Sequence, residues 1–188
     1  MPPRMAHMLV SAADHELAGV AAEVAVLLGE RGLGGNDADL ETRRRHWARD
    51  RGPRANAARR MAAHWARLVQ QQPDILRDDA VGAVIALGYP DRVARRRDGG
   101  EAAFLMANGR AVRVVGSDAL ARTEWLAVAD ASGSADGARL IAGAALTRTS
   151  VDALLGDRIT REARLDYDAD RGAVVAETIE ALGAIVLA

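Results

Sequence analysis

The sequence predicts an α+β fold, with a helical first half, a β-rich second half and a short α/β carboxy-terminal extension. Three observations predict it. Up to Leu87 the apolar residues recur about every 3.6 positions, as helices with one buried face require. Gly88 and Pro90 then stop that period, and apolar residues beyond them alternate or run in short extended segments. Turn-forming text separates those segments, Asn108-Gly109 being the sharpest case. At 188 residues and 49% hydrophobic content the chain can bury a core; with 3% aromatics, that core must be built largely from aliphatic side chains and alanine. The expected units are 1–88, 89–147 and 148–188.

The first helix is expected over Met5 to Ala12, with Met5, Met8, Leu9 and Ala12 on one side. The second runs from Asp14, as its cap, to Leu28, burying Leu17, Val20, Ala21, Val24, Leu27 and Leu28. Glu30 to Asn36 breaks the pattern, and its glycines, lacking GxxxxGK[ST] spacing, are loop glycines. Asn36 or Asp37 is expected to cap a third helix through Leu40 and Trp47. Arg43, Arg44 and Arg45 lie within it, and since successive helical side chains point about 100° apart they cannot all face one partner. Gly52-Pro53 separates this helix from a fourth, Arg54 to Gln71, whose expected buried stripe is Ala58, Met61, Trp65 and Leu68. That stripe places Trp65 in the core. A last helix, Asp78 to Gly88, buries Val81, Val84, Ile85 and Leu87.

Strands are expected over Glu101 to Ala107, Ala111 to Val115, Trp125 to Ala129 and Arg139 to Ala142, with a Gly- and Ser-containing loop at 131–137. Ser150 is the expected cap of a helix from Val151 to Leu155, ended by Gly156. Ile159 to Tyr167 and Ala173 to Ile179 read as extended segments around a turn from Asp168 to Gly172. Asp166, Asp168 and Asp170 imitate a calcium-binding loop, but the central glycine, terminal glutamate and flanking helices are missing, so a turn is expected.

Composition excludes several chemistries. The chain has no cysteine, hence neither disulfides nor thiolate metal sites, and all 25 of its basic residues are arginine, so it holds no Walker A lysine. The four histidines, His7, His15, His46 and His64, form no HExxH pair, and no nucleophile elbow is present. No catalytic residue, metal site or cofactor is therefore expected in the chain. No apolar run reaches membrane-spanning length and no signal-like segment follows Met1, so the expected location is cytoplasmic, away from membranes. The net charge of -1 conceals two basic clusters: nine arginines against two acids over residues 41–67, and six against three over 91–113. A solvated face is one reading of each cluster, and contact with a polyanion is the other.

The text Tyr89-Pro90-Asp91-Arg92-Val93-Ala94, then Phe104 to Arg110, Glu124 to Ala129 and Arg139 to Ala144, resembles in order and spacing the bacterial ATP-dependent helicases of the HrpB type, relatives of the DEAH-box RNA helicases. The resemblance implies a helical ratchet-like bundle over 1–88, a small OB-like β-barrel over 89–147, and a carboxy-terminal helix and β-hairpin. It also implies motor domains elsewhere in a parent protein, which would supply ATP and magnesium chemistry, and single-stranded RNA or DNA as the ligand. On this reading the chain is a carboxy-terminal fragment or an isolated homologue, serving as the accessory, strand-guiding portion of the helicase. Expected nucleic-acid contacts are Arg43 and Arg44 in the first basic cluster, and Arg92, Arg95, Arg96, Arg97, Asn108, Arg110 and Arg113 in the second, where guanidinium forks suit phosphate oxygens. The family's basic segment before the Leu-Gly-Ala ending is replaced here by Glu177-Thr178-Ile179-Glu180, so Leu182 to Leu187 is expected to pack on the barrel or on the rest of a helicase. The alternatives are a standalone protein-interaction or nucleic-acid-binding module without enzymatic activity, and an RNA chaperone working without ATP.

Overall fold

Helices occupy the chain to Gly88 and strands dominate beyond it. A computed structural model describes residues 1–69, 73–75, 77–97, 102–115, 118–134, 137–168 and 173–188. Helix α1 (Pro3–Ala13) buries Met8, Leu9 and Ala12. Helix α2 (Ala18–Gly29) is apolar nearly all round and buried on almost every side, including Ala22, Ala25 and Val26, so it is the central rod of the bundle rather than a surface helix with one apolar stripe.

Asp14 does not cap α2; it ends α1. The cap arrives from far downstream, where the Asp74 carboxylate accepts the Gly19 N–H at 2.9 Å and the Val20 N–H at 2.7 Å. Gly19 leaves room for it, since a Cβ there would lie 2.5 Å from Asp74 Oδ2. Local spacing could not reveal a cap so distant in sequence. Helix α3 (Leu40–Arg49) is likewise capped by neither Asn36 nor Asp37 but by Asp39, whose carboxylate accepts the Glu41 N–H at 3.0 Å and the Thr42 hydroxyl at 2.8 Å. Asp37 instead accepts the Asp39 N–H at 2.8 Å, holding the cap in place.

Helix α4 (Pro53–Val69) presents Ala55, Ala58 and Ala62 to the core, while Met61 and Trp65 are half-buried against it and Leu68 is 68% exposed. The buried stripe is thus rotated from the expected one, because the small side chains are the ones that permit close approach to α2. The expected end of this helix at Gln71 lies outside the described residues. Helix α5 (Ala80–Gly88) buries Val81, Val84 and Ile85 and lies between the other helices and the barrel.

Strands β1 (Val93–Arg96), β2 (Ala103–Met106), β3 (Ala111–Arg113), β4 (Trp125–Ser132) and β5 (Ala138–Leu146) close a barrel in the order β1-β2-β3-β5-β4. The β3–β5 pair is parallel and the rest are antiparallel, an OB-like topology. Glu101, the expected start of the second strand, lies outside the described residues. Ala94, Phe104, Met106, Val112, Leu126, Val128 and Leu140 fill the barrel, and Leu120 from the short helix α6 (Asp118–Ala121) joins them. The outer side of the barrel, with Val93, Trp125, Ala127, Ala142 and Ala144, shares a second core with the helices.

Helix α7 (Arg148–Leu155) begins three positions earlier than expected because Thr147, not Ser150, is its cap: Thr147 Oγ1 accepts the Ser150 N–H at 3.1 Å. A hairpin of β6 (Ile159–Asp168) and β7 (Ala173–Leu182) follows, and β8 (Ile185–Val186) pairs with β7. The Asp168–Gly172 turn falls, past Asp168, outside the described residues. The Leu182–Leu187 ending packs back on the molecule: Leu182, Ile185 and Leu187 are buried, and the Ala184 N–H donates to the Ala107 carbonyl at 2.8 Å. Gly183, at φ 57°, sits so close that a Cβ would lie 2.2 Å from that carbonyl oxygen.

Candidate nucleic-acid interface

Alternation along a strand sends every second side chain out of the barrel. With Val112 inside, Arg113 points outward, and its register partner on β2 is Ala103. On the other side of Ala103 the Arg97 N–H, one residue past β1, donates to the Ala103 carbonyl at 2.9 Å. On the third side the parallel pairing sets Arg139 of β5 level with Arg113. Arg97, Arg113 and Arg139, all exposed, therefore form one row across the outer face of β1, β2, β3 and β5, with neighbouring strands about 4.8 Å apart. Arg139 was not among the expected contacts. Only the parallel β3–β5 pairing brings it beside Arg113, and no local sequence signal carries that pairing.

Arg96, exposed at the end of β1, neighbours this row. The side chains of Arg96 and Arg97 have no hydrogen-bond or ion-pair partner among the described residues. Arg95 differs. It lies over the Trp125 ring at 5.5 Å, its Nε meets Glu124 Oε1 at 3.2 Å, and its terminal nitrogen donates to the Val186 carbonyl at 3.0 Å. It is a strut between the barrel and the carboxy-terminal strand. Between Arg95, Arg96, Arg97, Leu105, Ile185 and Val186 lies an open groove of about 330 Å³.

Asn108 and Arg110 are exposed at the opposite end of β2 from the row. Asn108 Oδ1 accepts the Arg110 N–H at 3.1 Å, and Gly109 takes φ 84°, so the expected tight turn is present. The structure thus divides the second cluster into an arginine row at one end and the Asn108–Arg110 turn at the other.

The remaining expected contacts are engaged elsewhere. Arg43 is buried, donating to the Leu27 carbonyl at 2.9 Å and the Leu33 carbonyl at 3.2 Å, so it closes the end of α2. Burial lowers its pKa, with the Asp37 charge opposing. Arg44 binds Glu23 at 2.5 Å and Glu41 at 3.7 Å. Burial disfavours its charge, but those carboxylates and Asp74 outweigh burial and raise its pKa. Arg92 donates to the Ala129 carbonyl at 2.9 Å and lies over Tyr89 at 5.4 Å. Arg4 lies 5.2 Å from the same ring centroid and pairs with Asp91 at 3.0 Å. Tyr89-Pro90-Asp91-Arg92 is therefore a mechanical junction between α1, α5 and β4.

Among the described residues no group of three or more His, Cys, Asp or Glu side chains could hold a metal ion, and no helix is long and apolar enough to cross a membrane.

No family model matches the chain. Over 131 residues it is 32% identical to the ATP-dependent RNA helicase HrpB of Escherichia coli strain K12, an alignment covering 66% of this chain and 14% of that protein. It superposes along its whole length on a crystal structure of the E. coli DExH-box NTPase HrpB, with a TM-score of 0.79 and 23% identity, covering 22% of that chain. A crystal structure of the E. coli DEAH/RHA helicase HrpB gives a TM-score of 0.75 at the same identity and coverage. The chain is thus homologous, in fold and in sequence, to a limited region of an HrpB-type RNA helicase, consistent with an accessory domain of that family.

Proposed function

We propose that this chain is an accessory unit of an HrpB-type helicase that guides single-stranded RNA or DNA along its barrel while motor domains of such a parent, using ATP and magnesium, move the strand. The observation that carries the reading is the exposed row of Arg97, Arg113 and Arg139 on the outer face of β2 and β3. That face is where OB barrels take oligonucleotides. Arginine forks suit phosphate oxygens, and no aromatic side chain stands in the row to stack a base, so recognition rests on charge and shape rather than base identity. Arg96 extends the row, and Arg110 with Asn108 offers a second contact farther along. The homologous relative is described as an ATP-dependent RNA helicase, which supports RNA as the ligand.

The test is anisotropy of a labelled oligo(rU) titrated with the chain at about 50 mM salt, where phosphate contacts are strong, and again at rising salt. Binding that weakens linearly in log–log form is expected. No binding at low salt overturns the reading in favour of a protein-interaction module.

A further inference from the structure

We infer that the groove beside the arginine row is a one-nucleotide subsite, in which Arg96 and Arg97 hold the phosphate while Leu105 and Val186 carry the apolar face of the sugar and base. The inference rests on the nucleic-acid reading above and adds to it a second wall, made by the carboxy-terminal strand.

Three observations lead there. First, the residues of β8 alternate: Ile185 is 2% exposed and anchors the strand, whereas Val186 is 59% exposed and borders the groove. Second, Arg95 uses its donors to hold the Val186 carbonyl and Glu124, which fixes the distance between the strand and the barrel and leaves Arg96 and Arg97 to meet a ligand. Third, the outer face of β2 is progressively covered toward its far end. Ala103 lies open within the arginine row, Leu105 is half-buried beside the groove, and Ala107 is capped by the Gly183-Ala184 turn. A strand crossing the barrel therefore cannot pass over Ala107 and is confined to the row and the groove. The groove volume of about 330 Å³ sits at the low end of the about 300–1,000 Å³ typical of ligand sites, room for a single nucleotide unit rather than a stacked run.

The test uses the whole chain and a labelled oligo(rU) of about ten nucleotides, within the site sizes of OB folds, with tripolyphosphate as competitor. Arg96→Ala/Arg97→Ala and Val186→Thr are compared with wild type after thermal unfolding shows that each folds. The arginine pair is expected to weaken binding about tenfold and to reduce the salt slope by about 1.4, or about 0.7 per lost phosphate contact. Val186→Thr is expected to weaken binding a few-fold with the salt slope unchanged, because it removes apolar contact and no charge. Val186→Asp, which sets a carboxylate against the phosphate, is expected to abolish binding at the groove.

Unchanged affinity in Val186→Thr, together with competition by tripolyphosphate that matches the oligonucleotide per phosphate, identifies a bare polyanion patch and overturns the subsite. Loss of binding in Arg113→Ala/Arg139→Ala, with none in the groove variants, overturns the subsite while leaving the nucleic-acid reading in place. If wild type binds no oligonucleotide, that reading falls first and the subsite with it.

Discussion

Gly82 of α5 meets the Ala145 carbonyl of β5 with no side chain between them; a Cβ on Gly82 would lie 1.9 Å from that oxygen. The helical bundle and the barrel touch here backbone to backbone, and their shared core surrounds the contact. Alanine is the better helix former by about 1 kcal/mol, yet here it must push α5 off the barrel. Gly82→Ala is expected to destabilise the chain by about 1–3 kcal/mol, read as a lower urea midpoint. A neutral or stabilising effect would show that the two parts do not bear on each other at this point.

Asp79 ties the amino ends of α5 and α7 together. Its carboxylate accepts the Thr147 N–H at 2.9 Å, the Thr147 hydroxyl at 2.7 Å, the Ser150 hydroxyl at 2.5 Å and Arg77 Nε at 2.9 Å. Burial alone would raise its pKa, but these hydrogen bonds outweigh burial and hold it below the ordinary carboxylate value. A depressed folded pKa contributes stability that is complete above the unfolded pKa, about 3.9, and is lost as pH falls through the folded value. Asp79→Asn is therefore expected to lower the melting temperature at neutral pH and to flatten its fall between about pH 5 and pH 2. Equal acid sensitivity in variant and wild type would contradict the assignment.

The junction at Tyr89 to Arg92 makes a contrasting prediction. Arg92 sits over Tyr89 and its hydrogen bond is to the Ala129 carbonyl, so Arg92→Ala should cost about 1–3 kcal/mol of stability by stranding that acceptor. It should leave the salt dependence of oligonucleotide binding unchanged. A salt slope reduced by about 0.7 would instead make Arg92 a phosphate contact.

Much of this fold was legible from periodicity, and the limits of legibility follow from sequence distance. Val81, Val84 and Ile85 were placed correctly because a helix repeats its buried face within a few residues. Asp74 as the cap of α2 and Thr147 as the partner of Asp79 were not, because each bond spans more than fifty residues. The arginine clusters were visible as charge, but charge counts do not show which guanidinium is already engaged. Arg43, Arg44 and Arg92 carry the same chemistry as Arg97 and differ from it only in what the fold brings to them. Arg139 was missed for the converse reason, since its place in the row depends on a parallel strand pairing.

Two buried indoles separate a satisfied polar group from an unsatisfied one. Trp47 Nε1 donates to the Ala55 carbonyl at 3.1 Å, whereas Trp125 Nε1 is buried with no partner among the described residues. Each is essentially inaccessible, at 2% and 1% exposure, so replacement by phenylalanine removes comparable volume. Trp47→Phe also strands a carbonyl, while Trp125→Phe relieves an orphaned donor. Trp47→Phe is expected to cost more, by about 1–3 kcal/mol in urea unfolding. The reverse order would mean that Arg95 and Arg148, stacked on Trp125 at 5.5 and 6.0 Å, depend on the indole more than on a ring of any kind.

The arginine row can be counted electrostatically. If Arg97 and Arg139 each neutralise one phosphate of a bound single strand, each alanine substitution should reduce the slope of log affinity against log salt by about 0.7, and the pair by about 1.4. Additivity is expected because the two side chains stand on β-row positions separated by Ala103 and Arg113 and share no partner. Exposed substitutions of this kind usually change stability by no more than about 0.5 kcal/mol, so the thermal unfolding of both variants should match wild type. Oligo(rU), oligo(rA) and oligo(dT) should lose affinity in equal proportion, since phosphate contacts carry no base identity. A loss confined to one sequence would place a base edge, rather than the backbone, against the row.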